Sequence, residues 1–204
     1  MKINLINFPK NQFFAEIFPK KQIVLHHTVS NPFSAKGDAD YWASTPARIA
    51  TYGILDYNGS LTKCFNSNQW AHHLGVKGNN NLKLNQHSIG IELDCWGGLT
   101  LKDVKYINAY GKEISEKLEV VKMKWRGYEY FQAYSDVQIA VLGELLQLLM
   151  RKHNIPNVGL KDGNFNVRRD ALAGKPGIYS HSNYRSDKSD LYPDSRIVNM
   201  LRNL

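Results

Sequence analysis

At 204 residues, 43% hydrophobic and 22% charged, the chain suits one globular domain with a full core and excludes a disordered or fibrous protein. A formal charge of +8 favours a polyanionic partner, which leaves nucleic acid, a membrane surface and a cell wall open. No zinc-finger, helix-turn-helix or RNP-type pattern accompanies the positive residues, so nucleic acid is not the expected partner.

The opening run MKINLINFPKNQFF is broken by Asn4, Asn7, Pro9 and Lys10 and reads as neither an export signal nor a membrane anchor; residues 1–20 are expected to be an extension. The first strand signal, IVLHHT at 23–28, ends in two adjacent histidines. Successive side chains of a strand face opposite ways, so His26 and His27 cannot both serve one site. The stretch DADYWASTPARIAT predicts a short helix near Asp40 to Ala50, interrupted by Pro46. YGILDY (52–57) and LTKCF (61–65), joined by Asn58-Gly59-Ser60, predict an antiparallel hairpin. SIGIELDCW (88–96) predicts a strand with Ile89 and Ile91 on one face and Gly90, Glu92 and Asp94 on the other. Cys64 and Cys95 both lie in strand-like runs, where a small buried thiol is the expected role rather than a disulfide.

Segments 97–134 and 157–176, rich in Gly, Asn, Lys and Tyr, read as long irregular insertions with short strands or helices. Within the first, WRGYEYFQAY (125–134) is either a substrate wall or a packing segment. Ser135-Asp136 opens the clearest helix, which runs to about His153 before Ile155-Pro156 ends it. Its apolar stripe, anchored by Ile139, Leu142, Leu146 and Leu149, is wide enough to predict a largely buried helix, while Gln138, Glu144 and Gln147 make it too polar to span a bilayer. GIYSHS (177–182) is the last strand signal, and a final helix runs from Asp194 to about Leu204. Strands interleaved with helices predict a single α/β domain over 1–204, its central mixed β-sheet flanked by helices.

Groups able to bind metal or move protons fall in four separated stretches: His26/His27, His72/His73, Glu92, and YSHSNYRSDKSD at 179–190. In the last, His181 ends a strand, and Lys188 and Asp190 follow two apart in a short loop, so both can turn back toward one point. Imidazole and carboxylate are ordinary zinc ligands, and three protein ligands with an open fourth position make the catalytic arrangement. His181 and Asp190 supply two, and a histidine at the end of IVLHHT can supply the third. Glu92 is a lone carboxylate in an otherwise apolar strand, costly to bury without a partner or a task.

Taken in order, IVLHHT, YGILDYNGSL, WAHHLG with its asparagine-rich sequel, NQHSIGIELD and YSHSNYRSDKSD resemble the zinc-dependent N-acetylmuramoyl-L-alanine amidases of the type-2 amidase family, which includes phage endolysins and the peptidoglycan recognition proteins. The resemblance covers about residues 20–96 and 177–194. It implies an amidase-like α/β fold, with Zn2+ held by His26, His181 and Asp190, Glu92 as catalytic base, and Lys188 stabilising an oxyanion. His27 is then expected to turn to the other face, His73 and Trp70 to line the substrate groove together with Tyr52, and His72 to be an exposed neighbour. The implied reaction cuts the amide between N-acetylmuramic acid and L-alanine of peptidoglycan.

The same resemblance, with the missing export signal, implies a monomer made in a host cytoplasm and released to the wall during phage lysis. Three departures leave the groove's shape and the roles of Thr51 and Tyr52 open. Thr51 stands where many relatives have histidine, Ser180 replaces a usual glycine, and Asp190-Leu191-Tyr192-Pro193 replaces an Asp-Pro-Gly ending. The alternatives are a non-catalytic peptidoglycan-binding module and a zinc peptidase acting within the stem peptide. Filled ligand positions argue against the first, and the absence of HExxH argues against the second.

Overall fold

Ten strands and five helices make up the computed structural model, which describes residues 1–204. The strands are β1 (Lys2–Leu5), β2 (Gln22–His27), β3 (Gly53–Leu55), β4 (Ser60–Lys63), β5 (Ser88–Leu93), β6 (Gly98–Lys102), β7 (Lys105–Ile107), β8 (Val120–Trp125), β9 (Tyr128–Gln132) and β10 (Gly177–Ser180). The helices are α1 (Ala35–Ala43), α2 (Asn81–Gln86), α3 (Asp136–His153), α4 (Arg169–Leu172) and α5 (Ser195–Arg202). Six strands form a mixed sheet in the order β1-β4-β3-β5-β2-β10, and four form an antiparallel sheet in the order β7-β6-β9-β8.

The centre of the large sheet is parallel: β2 pairs with β5 from Gln22↔Ser88 to His27↔Leu93, and with β10 on its other side. All six residues of β2 are buried, as a parallel strand covered on both faces requires. Ile23 and Leu25 of β2 join Ile89, Ile91 and Leu93 of β5 in a main core, covered by Leu142, Leu145, Leu146 and Leu149 of α3. Val24 faces the other way, into a smaller cluster with Leu74, Leu84, Tyr179 and Tyr184. The Ser135 hydroxyl caps α3 by accepting the Gln138 N–H at 3.0 Å, and Asn154 ends it in the left-handed region at φ 52°. The strand signals, the β3–β4 hairpin and the two C-terminal helices therefore stand where the sequence predicts them.

Four expectations need correction. The first helix is α1, Ala35–Ala43, not 40–50: it ends at Ser44, whose N–H still bonds Asp40, because the residue before Pro46 is biased out of helical geometry. Residues 97–134, expected to be irregular with short strands or helices, are more ordered than that and hold the whole second sheet, whose alternating burial in β8 is half hidden by its exposed lysines. The stretch 1–20 contributes β1, which pairs in parallel with β4 at the sheet edge. A short helix, α2, also forms in the asparagine-rich stretch, where none was expected. Within WRGYEYFQAY, Phe131 and Tyr134 are fully buried and each meets the Tyr192 ring at 4.7 Å, so that end of the segment packs. No helix is long and apolar enough to cross a membrane.

Cys64 and Cys95 are free and sit in different clusters. Burial pushes each thiol up to about 12, so at pH 8 only about one molecule in ten thousand carries either thiolate. Alkylation at pH 8 is therefore expected to leave both cysteines untouched in the native protein and to label both in denaturant. Rapid native labelling of either would contradict the packing described.

Candidate metal centre

The carboxyl ends of β2, β5 and β10 lie side by side, the place where open α/β sheets gather functional groups. His26 is next to last in β2 and stands in register with Glu92 of β5, while His181 follows directly on β10. The loop after His181 returns Asp190 to the same point. His26 Nδ1 lies 3.0 Å from His181 Nδ1, His181 Nδ1 is 2.8 Å from Asp190 Oδ2, and His26 Nδ1 is 3.3 Å from that oxygen. All three residues are buried, and theirs is the one group of three or more His, Cys, Asp or Glu donors close enough to share an ion. His27 points to the opposite face, where its Nδ1 meets the Tyr134 hydroxyl at 2.9 Å.

The donor set fits a divalent metal. His181 Nε2 lies 2.9 Å from the Leu74 carbonyl, which can only accept, so the ring proton belongs on Nε2 and Nδ1 is bare. A tetrahedral zinc ion with bonds of about 2.0–2.1 Å sets its ligands about 3.3 Å apart, near the separations seen here. Two imidazoles and one carboxylate also match zinc in ligand type. Such an ion would keep a fourth position open toward the cleft.

The electrostatics agree. Burial, with the His181 ring beside it, lowers His26 from 6.5 to about 4, so this ring is neutral at pH 7. Burial alone would raise Asp190, yet positive charge shared with the His181 and His26 rings beside it outweighs burial and holds the carboxyl well below its ordinary 3.8. Glu92 moves the opposite way: burial, then the Asp190 charge, push it well above 4.5, while Lys188 opposes that rise. Glu92 Oε2 is a buried oxygen without a hydrogen-bond partner. Lys188, Thr51, Trp42 and Ile49 complete the walls of a cleft of about 240 Å³ over the three donors. Larger clefts of about 390 and 440 Å³ run along residues 113–118 but hold no convergent donor set.

Of the residues singled out in the sequence, His26, His181, Asp190, Glu92, Lys188 and His73 meet at this cleft. Trp70 and Tyr52 do not line it. Trp70 is 5% exposed and stacks on Phe14 at 3.8 Å, and Tyr52 is wedged between two cores. His72 is half-buried and set edge-on to Trp70 rather than free in solvent. Both ring nitrogens of His73 are engaged, with His26 Nε2 at 3.0 Å and the Ser88 hydroxyl at 2.8 Å. Sequence reasoning missed Trp42 and Ile49, which come from outside every motif, and Trp125, whose indole N–H donates to the Ser189 carbonyl at 3.0 Å and so ties β8 to the loop bearing Lys188 and Asp190.

Residues 18–193 match a family model described as N-acetylmuramoyl-L-alanine amidase. Among solved structures the fold is similar to that of PlyL, at 12% identity and TM-score 0.58, covering 100% of this chain and 95% of that one. It is also similar to the N-acetylmuramoyl-L-alanine amidase LysC from Clostridium intestinale URNW, at 16% identity and TM-score 0.53, covering 99% and 98% of the two chains. A mutant endolysin from Bacillus subtilis aligns at 17% identity and TM-score 0.57, covering 98% of each chain. A search of curated proteins finds no match.

Zinc added to metal-free protein at about 100 times its dissociation constant should stabilise the fold by about 2.7 kcal/mol. For a domain of this size that is a rise in melting temperature of roughly 5–10 °C. Replacing His181 with alanine should abolish the rise, and an undiminished rise in that variant would exclude His181 as a ligand.

Proposed function

The chain belongs to the N-acetylmuramoyl-L-alanine amidase family, and we propose that it detaches stem peptides from peptidoglycan with a zinc ion held by His26, His181 and Asp190. The observation that carries this reading is the convergence of three buried acceptor atoms within 2.8–3.3 Å of one another beside an unpartnered glutamate oxygen. When bound, zinc supplies Lewis acidity, lowering the pKa of water at its open position to about 7 and polarising the carbonyl to be attacked.

Glu92 is the acid–base group. It neighbours His26 across the β2–β5 ladder and lines the cleft, where its carboxylate can take a proton from the attacking water. It then delivers that proton to the nitrogen of L-alanine as the carbon–nitrogen bond breaks. A carboxyl that burial raises well above its ordinary 4.5 holds a taken proton more firmly than an exposed glutamate does, which suits that transfer. Lys188, which also lines the cleft, offers its ammonium to the negative charge that develops on the carbonyl oxygen. Trp42 and Ile49 give the cleft an apolar side.

The positive charge of the chain suits a wall polymer bearing carboxylates. Together with the likeness to an endolysin fold, it supports action on the cell wall during phage lysis.

Mass spectrometry of muropeptides digested with and without a chelator tests the reaction. Free stem peptides beginning with L-alanine are expected without chelator and none with it, while fragments cut within the peptide would point to a peptidase instead. Glu92→Gln is expected to keep its zinc and lose about 10²–10⁴ in kcat; turnover at the wild-type rate would refute its role. Lys188→Ala should cost about 10²–10³ in kcat with zinc retained.

A further inference from the structure

We propose that His73 is a positioning residue: with Ser88 behind it, it fixes the His26 ring in the tautomer that turns a bare Nδ1 toward the metal. The inference rests on the zinc reading above, and it assigns His73 a role inside the protein in place of substrate contact.

The Ser88 hydroxyl has a single hydrogen and donates it to the Leu84 carbonyl at 2.7 Å, so toward His73 it can only accept. His73 Nε2, 2.8 Å from that oxygen, therefore carries the ring proton. A neutral imidazole has one N–H, so His73 Nδ1 is an acceptor. His26 Nε2 lies 3.0 Å from it and must be the donor. His26 Nδ1 is then without hydrogen, and it is this atom that faces His181 and Asp190. Each bond in the series sets the direction of the next.

Two further features fit this arrangement. A Cβ placed on Gly90 would come within 2.8 Å of Thr51 Cγ2, 3.0 Å of His73 Nδ1 and 3.1 Å of its Cγ, so the His73 ring and Thr51 share the space that a side chain on β5 would fill. Asn85, fully buried, accepts the backbone N–H groups of both His73 and Leu74, at 2.8 and 3.1 Å. The Leu74 carbonyl holds His181 in the matching tautomer at 2.9 Å. One dipeptide thus orients both imidazole ligands, the first through a side chain and the second through the main chain. With neither ring nitrogen free, His73 has no donor or acceptor left for a sugar or peptide.

The test is zinc affinity of the metal-free protein, measured by competition with a chromophoric chelator, for wild type, Ser88→Ala, Ser88→Thr and His73→Phe. Loss of a group that orients a metal ligand typically weakens binding 10- to 100-fold. Ser88→Ala is expected to weaken zinc about 10-fold and His73→Phe about 10- to 100-fold, with Ser88→Thr, which keeps the hydroxyl, close to wild type. Nitrogen-15 spectra of the zinc-loaded wild type should show His26 protonated at Nε2 and bound through Nδ1, and His73 protonated at Nε2 alone. Wild-type affinity in both Ser88→Ala and His73→Phe, or zinc bound through His26 Nε2, would overturn the proposal and leave the metal reading intact. A wild type that binds no zinc would instead remove the reading on which it rests. If His73→Phe fails to fold, as judged by circular dichroism, Ser88→Ala and the wild-type spectra decide.

Discussion

Three acceptor atoms face one another across about 3 Å at the end of the central sheet, two on imidazole rings and one on a carboxylate. Lone pairs held that close, out of water, repel unless positive charge lies between them. Much of the architecture consists of forces that keep them there. The parallel core fixes His26 and His181 on adjacent strands, and the loop bearing Asp190 is bound back to the protein by the Ser182 N–H on the Asp190 carbonyl, at 2.8 Å. This buried cluster of donors is the physical centre from which the chemistry of the cleft extends.

The two-residue period of a strand explains much of the rest. On β2 it sends Ile23, Leu25 and His27 toward α3 and Val24 and His26 toward the cleft side, so one histidine can serve the core while its neighbour joins the donor cluster. On β5 it places Ser88, Gly90 and Glu92 in a row on the same face. The three contribute a hydroxyl, an absence of side chain and a carboxyl, each matched to what stands over it. A residue type that looks ordinary in a strand, a serine or a glycine, thereby becomes part of how a donor of the cluster is held.

The sequence disclosed the elements whose signals are local. The apolar run before His26, the Asn-Gly hairpin, the alternation around Glu92 and the capped stripe of α3 each declare themselves within a few residues. The donors His26, His181 and Asp190 were legible from their order along the chain and their resemblance to a family. The second sheet was less so, because exposed lysines and tyrosines blur its alternation and its pairing depends on partners supplied later in the chain. Trp70 and Tyr52 show the limit of carrying motifs across: their neighbours in sequence reach the cleft, while their own rings are claimed by Phe14 and by the cores. Hydrogen-bond direction was invisible, since nothing in the letters says that Ser88 gives its proton to Leu84.

Trp125 gives the small sheet a mechanical meaning. Its indole grips the carbonyl that sits between Lys188 and Asp190, so the hairpin of β8 and β9 acts as a buttress for a donor cluster to which it contributes no atom. Here the outlying strands are wedded to the donors' surroundings, and slackness in one is felt in the other.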